Sequence, residues 1–153
     1  MNALEFLKTE HEKAKEKFSE IESGPADARL DLWEKLKPEL EVHELIERMH
    51  LYGPVARTEK AKGTKLEEWD RQHTEEVDEV KNVMATVEDL DAASDEWIDN
   101  LGEVKSLLEQ HILEEENEIW PEIRRVWDAS KLEDVGAKME ETHSEKLRGM
   151  PSG

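Results

Sequence analysis

Residues 66–87, LEEWDRQHTEEVDEVKNVMATV, place apolar side chains at alternating steps of three and four. The residues in this series are Leu66, Trp69, His73, Val77, Val80, Met84 and Val87. Such spacing is typical of one face of an α-helix that packs against a core. The stretch therefore predicts a long amphipathic helix with a histidine in the middle of its buried face.

Three other segments show the same spacing, and each carries a histidine among its apolar positions. The four predicted helices span about residues 3–22, 27–52, 64–88 and 95–120. Their expected breaks and caps are Gly24 with Pro25, a kink or break at Pro38, a stop at Gly53 and Pro54, the N-cap Ser94, and a bend or stop at Pro121.

These helices predict an all-α fold, an antiparallel up-down four-helix bundle over about residues 3–125. A short C-terminal tail helix is predicted over about residues 131–147. The length of 153 residues fits one hydrophobic core, so a single domain over residues 1–153 is expected.

The composition narrows the possible partners and location. A net charge of −19 repels phosphate groups, so neither nucleic acid nor an anionic membrane is an expected partner, whereas small cations are attracted. The absence of cysteine excludes thiolate metal sites and disulfides. The start, MNALEFLKTEHEK, is unlike a signal peptide, and no apolar stretch approaches the roughly 20 residues that span a bilayer. A cytoplasmic location is therefore expected.

Polar side chains interrupt every predicted apolar face. The six residues concerned are His11, His43, Glu47, His73, His111 and Glu115. Burying an unpartnered polar group costs a few kcal/mol, and an unpaired carboxylate costs more. Equal distances along neighbouring helices would bring the four imidazoles into one layer of the bundle. Four imidazoles and two carboxylates in a dry core favour a pair of metal ions, with iron the best candidate and manganese less suited. Zinc usually takes a closed set of four ligands, which these six residues would exceed.

The ordered set of His11, His43-x-x-x-Glu47, His73 and His111-x-x-x-Glu115 resembles the hemerythrin-like, or HHE cation-binding, domain family. The aromatic-proline endings Tyr52 with Pro54 and Trp120 with Pro121 are also typical of it. The resemblance implies two iron ions, oxo- or hydroxo-bridged and carboxylate-bridged by Glu47 and Glu115. It further implies binding of dioxygen, peroxide or a similar small diatomic ligand.

The chain departs from the oxygen-carrying members of that family. Those proteins have a fifth histidine four residues after the histidine of the third helix, and here that position, four residues after His73, is Val77. They also have H-x-x-x-x-D in the last helix, where this chain has His111-x-x-x-Glu115. Simple oxygen transport is therefore not expected, because one iron would lack an imidazole, and an open metal position favours chemistry at the metal over storage. His50 and Tyr52 are the predicted catalytic residues, which would line the oxygen pocket, move protons or supply a ligand.

The residues are compatible with several functions. The first is a di-iron protein that binds dioxygen or peroxide, with catalase- or peroxidase-like turnover as one outcome. The second is an iron- or oxygen-responsive sensor or interaction module without turnover, for which no protein partner is predicted. A third is a ferritin-like site built on Glu47-x-x-His50 and Glu140-x-x-His143, and a fourth is a metal-free structural bundle. Glu114, Glu116 and Glu118 are predicted to form a solvated face.

Overall fold

Helices make up nearly all of the structure, a computed structural model that describes residues 1–148 and contains no strand within them. The α-helices are α1 (Ala3–Ser23), α2 (Arg29–Ile46), α3 (Gly53–Ala56), α4 (Lys65–Glu88), α5 (Asp95–Glu114), α6 (Trp120–Val126) and α7 (Ala129–Arg148). Two π-helical turns (Glu47–Tyr52 and Glu115–Ile119) extend α2 and α5, and two short 3₁₀ turns (Ala26–Ala28 and Glu59–Ala61) lie in the connections. The all-helical prediction is confirmed; residues 149–153 of the predicted domain lie outside the described part.

Side-chain caps begin three of the long helices. Asn2 and Glu5 form a reciprocal capping box at α1, in which each side chain accepts from the other's backbone N–H. Thr64 accepts from the backbone of Leu66 at α4, and Ser94 accepts from that of Trp97 at α5. The predicted N-cap at Ser94 is thereby confirmed, because its oxygen satisfies a free N–H of the first turn.

The prolines do not stop the helices: the stop predicted at Gly53 and Pro54 was wrong, and neither a break at Pro38 nor a stop at Pro121 occurs. Helix α2 continues through Pro38, and the helical path passes Pro54 to reach Ala56 and passes Pro121 to reach Val126. Pro54 and Pro121 each follow a π turn and occupy the first turn of the next α-helix, where a missing N–H is tolerated.

The C-terminal helix is longer than predicted and belongs to the core. Helix α7 has 20 residues and packs against α1, α2 and the first π turn. Leu132, Val135 and Met139 are buried in the same cluster as core residues of the bundle. Gly136 lets the N-terminal backbone approach, because a Cβ there would lie 2.4 Å from the carbonyl oxygen of Met1. The tail prediction was therefore too short, and the helix is part of the packed body.

Two apolar clusters lie on either side of the polar residues along the helices. One cluster contains Leu7, Trp69 and Trp120, and the other contains Phe18 and Trp97 among its members. Along α1 and α4 the chain passes from the first cluster to the second. Along α2 it passes back, and it passes back again from α5 through the second π turn into α6. His11, His73 and His111 lie between residues of the two clusters, and His43 directly follows Val42 of the first cluster, so all four lie where water is largely excluded.

No helix within residues 1–148 is long and apolar enough to cross a lipid bilayer.

Candidate metal centre

All six predicted metal ligands converge in one layer of the helical bundle. His11 lies in α1, His43 in α2, His73 in α4 and His111 in α5, while Glu47 and Glu115 are the first residues of the two π turns. The two glutamates are fully buried at 0% exposure, and His11, His73 and His111 are also buried. His43 is the most accessible, with 15% of its side chain exposed.

The four imidazoles form two pairs. The ring centroids of His11 and His43 are 5.0 Å apart, and those of His73 and His111 are 4.8 Å apart. Each pair joins two successive long helices, α1 with α2 and α4 with α5. The pairs define two positions at which a cation would meet two ring nitrogens.

Each glutamate presents one oxygen to each pair. Oε1 of Glu47 forms an ion pair with Nε2 of His43, while its Oε2 lies 3.3 Å from Nε2 of His73. Oε1 of Glu115 forms an ion pair with Nε2 of His111, while its Oε2 lies 3.7 Å from Nε2 of His11. Each of the two carboxylates therefore spans the two histidine pairs.

The atoms that face the middle of the layer lack hydrogen-bond partners. They are Nε2 of His11, His73 and His111, both oxygens of Glu47, and Oε1 of Glu115. Buried polar atoms normally form hydrogen bonds, because each one left without a partner costs about 1–3 kcal/mol. The six predicted ligands form two groups that share Glu47, one with His73, His111 and Glu115 and the other with His11 and His43. In each group, one ligand atom from every residue lies within 4.8 Å of those of the others. Imidazole nitrogens and carboxylate oxygens in this arrangement could hold a metal cation.

The repeated phrase of the sequence encodes the π turns that carry the glutamates. The backbone N–H of Gly53 bonds the carbonyl of Arg48, and that of Trp120 bonds the carbonyl of Glu115, each five residues back. A Cβ at position 53 would lie 2.7 Å from the carbonyl oxygen of Arg48, so glycine permits this turn. The π turns, which are wider than α-helical turns, place the two glutamates in the histidine layer and tolerate the prolines that follow.

Aromatic side chains cover the ligands and include the predicted catalytic Tyr52. Its hydroxyl donates to Oε2 of Glu115 at 2.7 Å and accepts from Nε1 of Trp120 at 3.1 Å. Burial, followed by the charge of Glu115, raises the pKa of Tyr52 well above its ordinary value. Trp120 stacks on His11 and Trp69 stacks on His111, both at 5.4 Å between ring centroids. Tyr52 therefore holds its proton beside a candidate bridging carboxylate.

The other predicted catalytic residue, His50, lies away from the ligand cluster. Its Nε2 is 2.8 Å from Oγ1 of Thr142 on α7, and the ring is half-buried. Burial, with a smaller contribution from Lys138, lowers the pKa of His50. His143 of α7 pairs with Glu10 at 2.9 Å. Both histidines thus join α7 to the rest of the bundle.

Sequence reasoning missed three glutamates at the centre. Oε2 of Glu44 lies 3.7 Å from Nε2 of His73, and burial with the charge of Glu47 raises the pKa of Glu44 to about 7. Glu76 contacts His111, and Glu116, which the sequence predicted to be solvated, contacts His11. The available signal was their helical spacing, since Glu44 lies three residues before Glu47 and Glu76 three residues after His73.

In the metal-free protein, protonated histidines neutralise the glutamates, which predicts a pH-dependent stability. Burial lowers the pKa of His43, but the charges of the surrounding glutamates, that of Glu47 above all, outweigh burial and raise this pKa to about 9. A raised pKa stabilises the fold below the unfolded value, and that stabilisation is lost as the pH rises through the folded value. We expect the free energy of unfolding, measured by urea denaturation after chelation, to fall by roughly 3 kcal/mol between about pH 6.5 and pH 9.5.

Two histidine variants test the origin of this pH dependence. His43→Gln should lose part of it, because the pKa values of His73 and His111 are raised as well, whereas His143→Gln, which alters a histidine outside the cluster, should retain it in full. An unfolding free energy of the metal-free protein that stays constant across this range would contradict the prediction.

Known proteins share this arrangement of residues and helices. The model of the hemerythrin HHE cation binding domain matches residues 2–123, about four fifths of the chain. None of the curated proteins matches the sequence. The crystal structure of a hemerythrin HHE cation binding domain-containing protein from Mycobacterium kansasii is similar, with a TM-score of 0.78 and 26% sequence identity over 97% of this chain and 93% of that one. The chain therefore belongs to the hemerythrin HHE cation-binding domain family.

Proposed function

We propose that this protein is a non-haem di-iron protein that binds dioxygen or peroxide. The observation that carries the proposal is the bridging arrangement, in which Glu47 and Glu115 each turn one oxygen toward either histidine pair. Two ions bound there would share both carboxylates and lie close enough to act together on one small ligand.

The side chains present favour iron over other cations. Four imidazoles and two bridging carboxylates suit a borderline-hard ion, and manganese is the second choice because it prefers more oxygen. Glu44 lies beside His73, where it would supply an additional oxygen on the side that Val77 leaves without an imidazole. Zinc in structural sites takes four ligands, which this set would exceed.

The size of the adjoining cavity favours a small ligand. A cavity of about 40 Å³ reaches His11, His43, Glu44 and His111, and its walls include Phe18 and other apolar side chains. A single water needs about 10–15 Å³ of such space, so the cavity admits molecules of a few atoms. Dioxygen and hydrogen peroxide fit this size.

The residues around the centre would control water and protons. Ferrous iron, when bound, would supply the electrons for reduction of dioxygen or peroxide. Trp69 and Trp120 exclude water from the imidazoles by stacking on them. Tyr52 holds a proton 2.7 Å from Glu115, which makes its hydroxyl our candidate proton donor. His50, bonded to Thr142, would act only through α7.

The remaining features of the proposal come from the sequence and from the order of the core clusters. We infer that the four long helices run alternately up and down, because successive helices meet the two apolar clusters in reversed order. A cytoplasmic location and the absence of nucleic-acid and membrane partners remain predictions from sequence and charge.

Hydrogen peroxide provides a direct functional test. We expect the iron-loaded protein to release oxygen from added peroxide, since a small cavity and a proton-bearing Tyr52 adjoin the metal positions. An oxygen electrode measures the release, and Tyr52→Phe should slow it by about tenfold or more if the hydroxyl delivers the proton.

The metal content must be established alongside that test. An absorption spectrum of the aerobically purified protein distinguishes a ferric pair, which absorbs in the near ultraviolet, from a colourless zinc or empty site. A lasting colour change without gas release would contradict turnover and leave a carrier or sensor. Folded protein without transition metal would contradict the whole proposal.

A sensor function is supported by the position of α7. This helix lies beyond the matched domain, residues 2–123, and packs against the π turn that begins with Glu47. Metal binding at Glu47 would therefore act on the packing of α7 through His50 and Thr142. A large loss of helix on chelation, measured by circular dichroism in a protein without peroxide turnover, would favour this function.

A further inference from the structure

Two glutamates contact the outer nitrogens of two candidate ligands. Nδ1 of His11 lies 2.8 Å from Oε2 of Glu116, and Nδ1 of His111 lies 2.7 Å from Oε2 of Glu76. An ionised carboxylate only accepts hydrogen bonds, so Nδ1 carries a proton in both rings. Each ring then directs the lone pair of its unpartnered Nε2 toward the centre when it is otherwise neutral.

These contacts are shared equally between the two metal positions. His11 belongs to one imidazole pair and His111 to the other. Within residues 1–148, neither His43 nor His73 has a carboxylate at Nδ1. Each position thus has one histidine backed by a negative charge and one that is not.

Neighbouring side chains orient both outer carboxylates. Nε2 of Gln72 donates to Oε1 of Glu76 at 3.1 Å, while Nζ of Lys8 lies 3.8 Å from Oε1 of Glu116. In each glutamate, one oxygen therefore contacts the histidine and the other contacts a second side chain. The carboxylates are only partly exposed, at 30% for Glu76 and 19% for Glu116.

We propose that Glu116 and Glu76 are positioning residues that give each iron ion one negatively backed imidazole and favour its ferric state. The inference rests on the proposed di-iron function. A carboxylate that accepts from Nδ1 fixes the orientation of the ring and increases its basicity toward a metal. The added negative charge stabilises the more highly charged ion to a greater extent, because Coulomb attraction grows with charge.

The glutamine variants E76Q and E116Q remove the charge and keep an oxygen that accepts a hydrogen bond. We expect each to reduce iron affinity by about tenfold. We also expect the reduction potential to rise, by about 59 mV for every tenfold loss of preference for ferric ion. Competition with a chelator measures the affinity, and anaerobic redox titration measures the potential. A purely structural effect on folding would not raise the potential.

Matched controls separate the local contact from the overall charge. E79Q removes a charge from the exposed part of α4, and E118Q removes one from the second π turn, so both should match the wild type. E76D and E116D keep the charge and should retain most of the wild-type potential. Circular dichroism establishes that every variant is folded before loading, and a glutamine variant that fails to fold is replaced by the alanine variant at the same position.

The outcomes distinguish this inference from the function on which it rests. If the wild type loads iron but E76Q and E116Q match the controls in affinity and potential, Glu76 and Glu116 do not have the proposed role. If the aspartate variants raise the potential as much as the glutamine variants, charge is not the cause and the proposal is overturned. If the wild type loads no transition metal, the di-iron function itself fails.

Discussion

Replacing Glu47 with alanine is expected to abolish the binding of both metal ions. Glu47 is the residue that both candidate ligand groups share, and its two oxygens face different histidine pairs. Glu115 also spans the two pairs, but its Oε2 lies 3.7 Å from Nε2 of His11, and each position loses a carboxylate oxygen when Glu47 is removed. Metal analysis after reconstitution under anaerobic conditions should give two ions per chain for the wild type and none for Glu47→Ala.

The number of ions bound by two further variants tests whether the loss of metal is specific to Glu47. His43→Ala should leave one ion, because the group of Glu47, His73, His111 and Glu115 is intact without His43. Glu41→Ala removes an exposed carboxylate from α2 and should leave both ions bound. A Glu47→Ala protein that still binds two ions would refute the bridging role, and equal losses in Glu41→Ala would indicate an effect of charge alone.

The histidine layer was predictable because periodicity and chemistry point to the same residues. In residues 66–87, the spacing that identifies a buried face also includes His73, and a buried histidine requires a partner. The same argument placed His11 and His111 in the layer, and the structure brings all three together with the two glutamates. Helix positions were similarly accessible, since Ser94 caps its helix through a local contact.

The π turns were not predictable from the same rules. Proline ordinarily ends an α-helix, so Pro54 and Pro121 indicated stops. The helical path continues because a turn with hydrogen bonds five residues back precedes each proline, and the rules for the ends of α-helices do not indicate such a turn.

The outer glutamates and α7 show a different limit of sequence reasoning. Acidic residues number 40 in this chain, so composition gave no reason to select Glu44, Glu76 or Glu116. Their roles depend on contacts between different helices, such as that of Glu116 with His11, 105 residues apart. The seating of α7 likewise depends on Gly136 meeting the N-terminal backbone, a long-range contact without a local pattern.

Loading the metal-free protein with ferrous ion is expected to raise its melting temperature by about 10–20 °C. The unfolded chain cannot assemble ligands from four helices, so the metal binds the folded state preferentially. At a free ion concentration of about 100 times Kd, one site adds about 2.7 kcal/mol, and two sites add about 5 kcal/mol. In a domain of this size, each kcal/mol raises the melting temperature by about 2–4 °C.

The unpartnered atoms of the layer make this stabilisation specific to the centre. In the metal-free protein, buried Nε2 atoms of His11 and His73 and both oxygens of Glu47 lack hydrogen bonds, and a bound ion would satisfy them together. Circular dichroism melting before loading, after loading and after chelation measures the change, which should reverse with the chelator. Glu47→Ala should show no rise, whereas Glu41→Ala should match the wild type. An equal rise in the melting temperature of Glu47→Ala would show that the ions stabilise the acidic surface instead. A protein with a net charge of −19 attracts cations wherever its carboxylates are exposed.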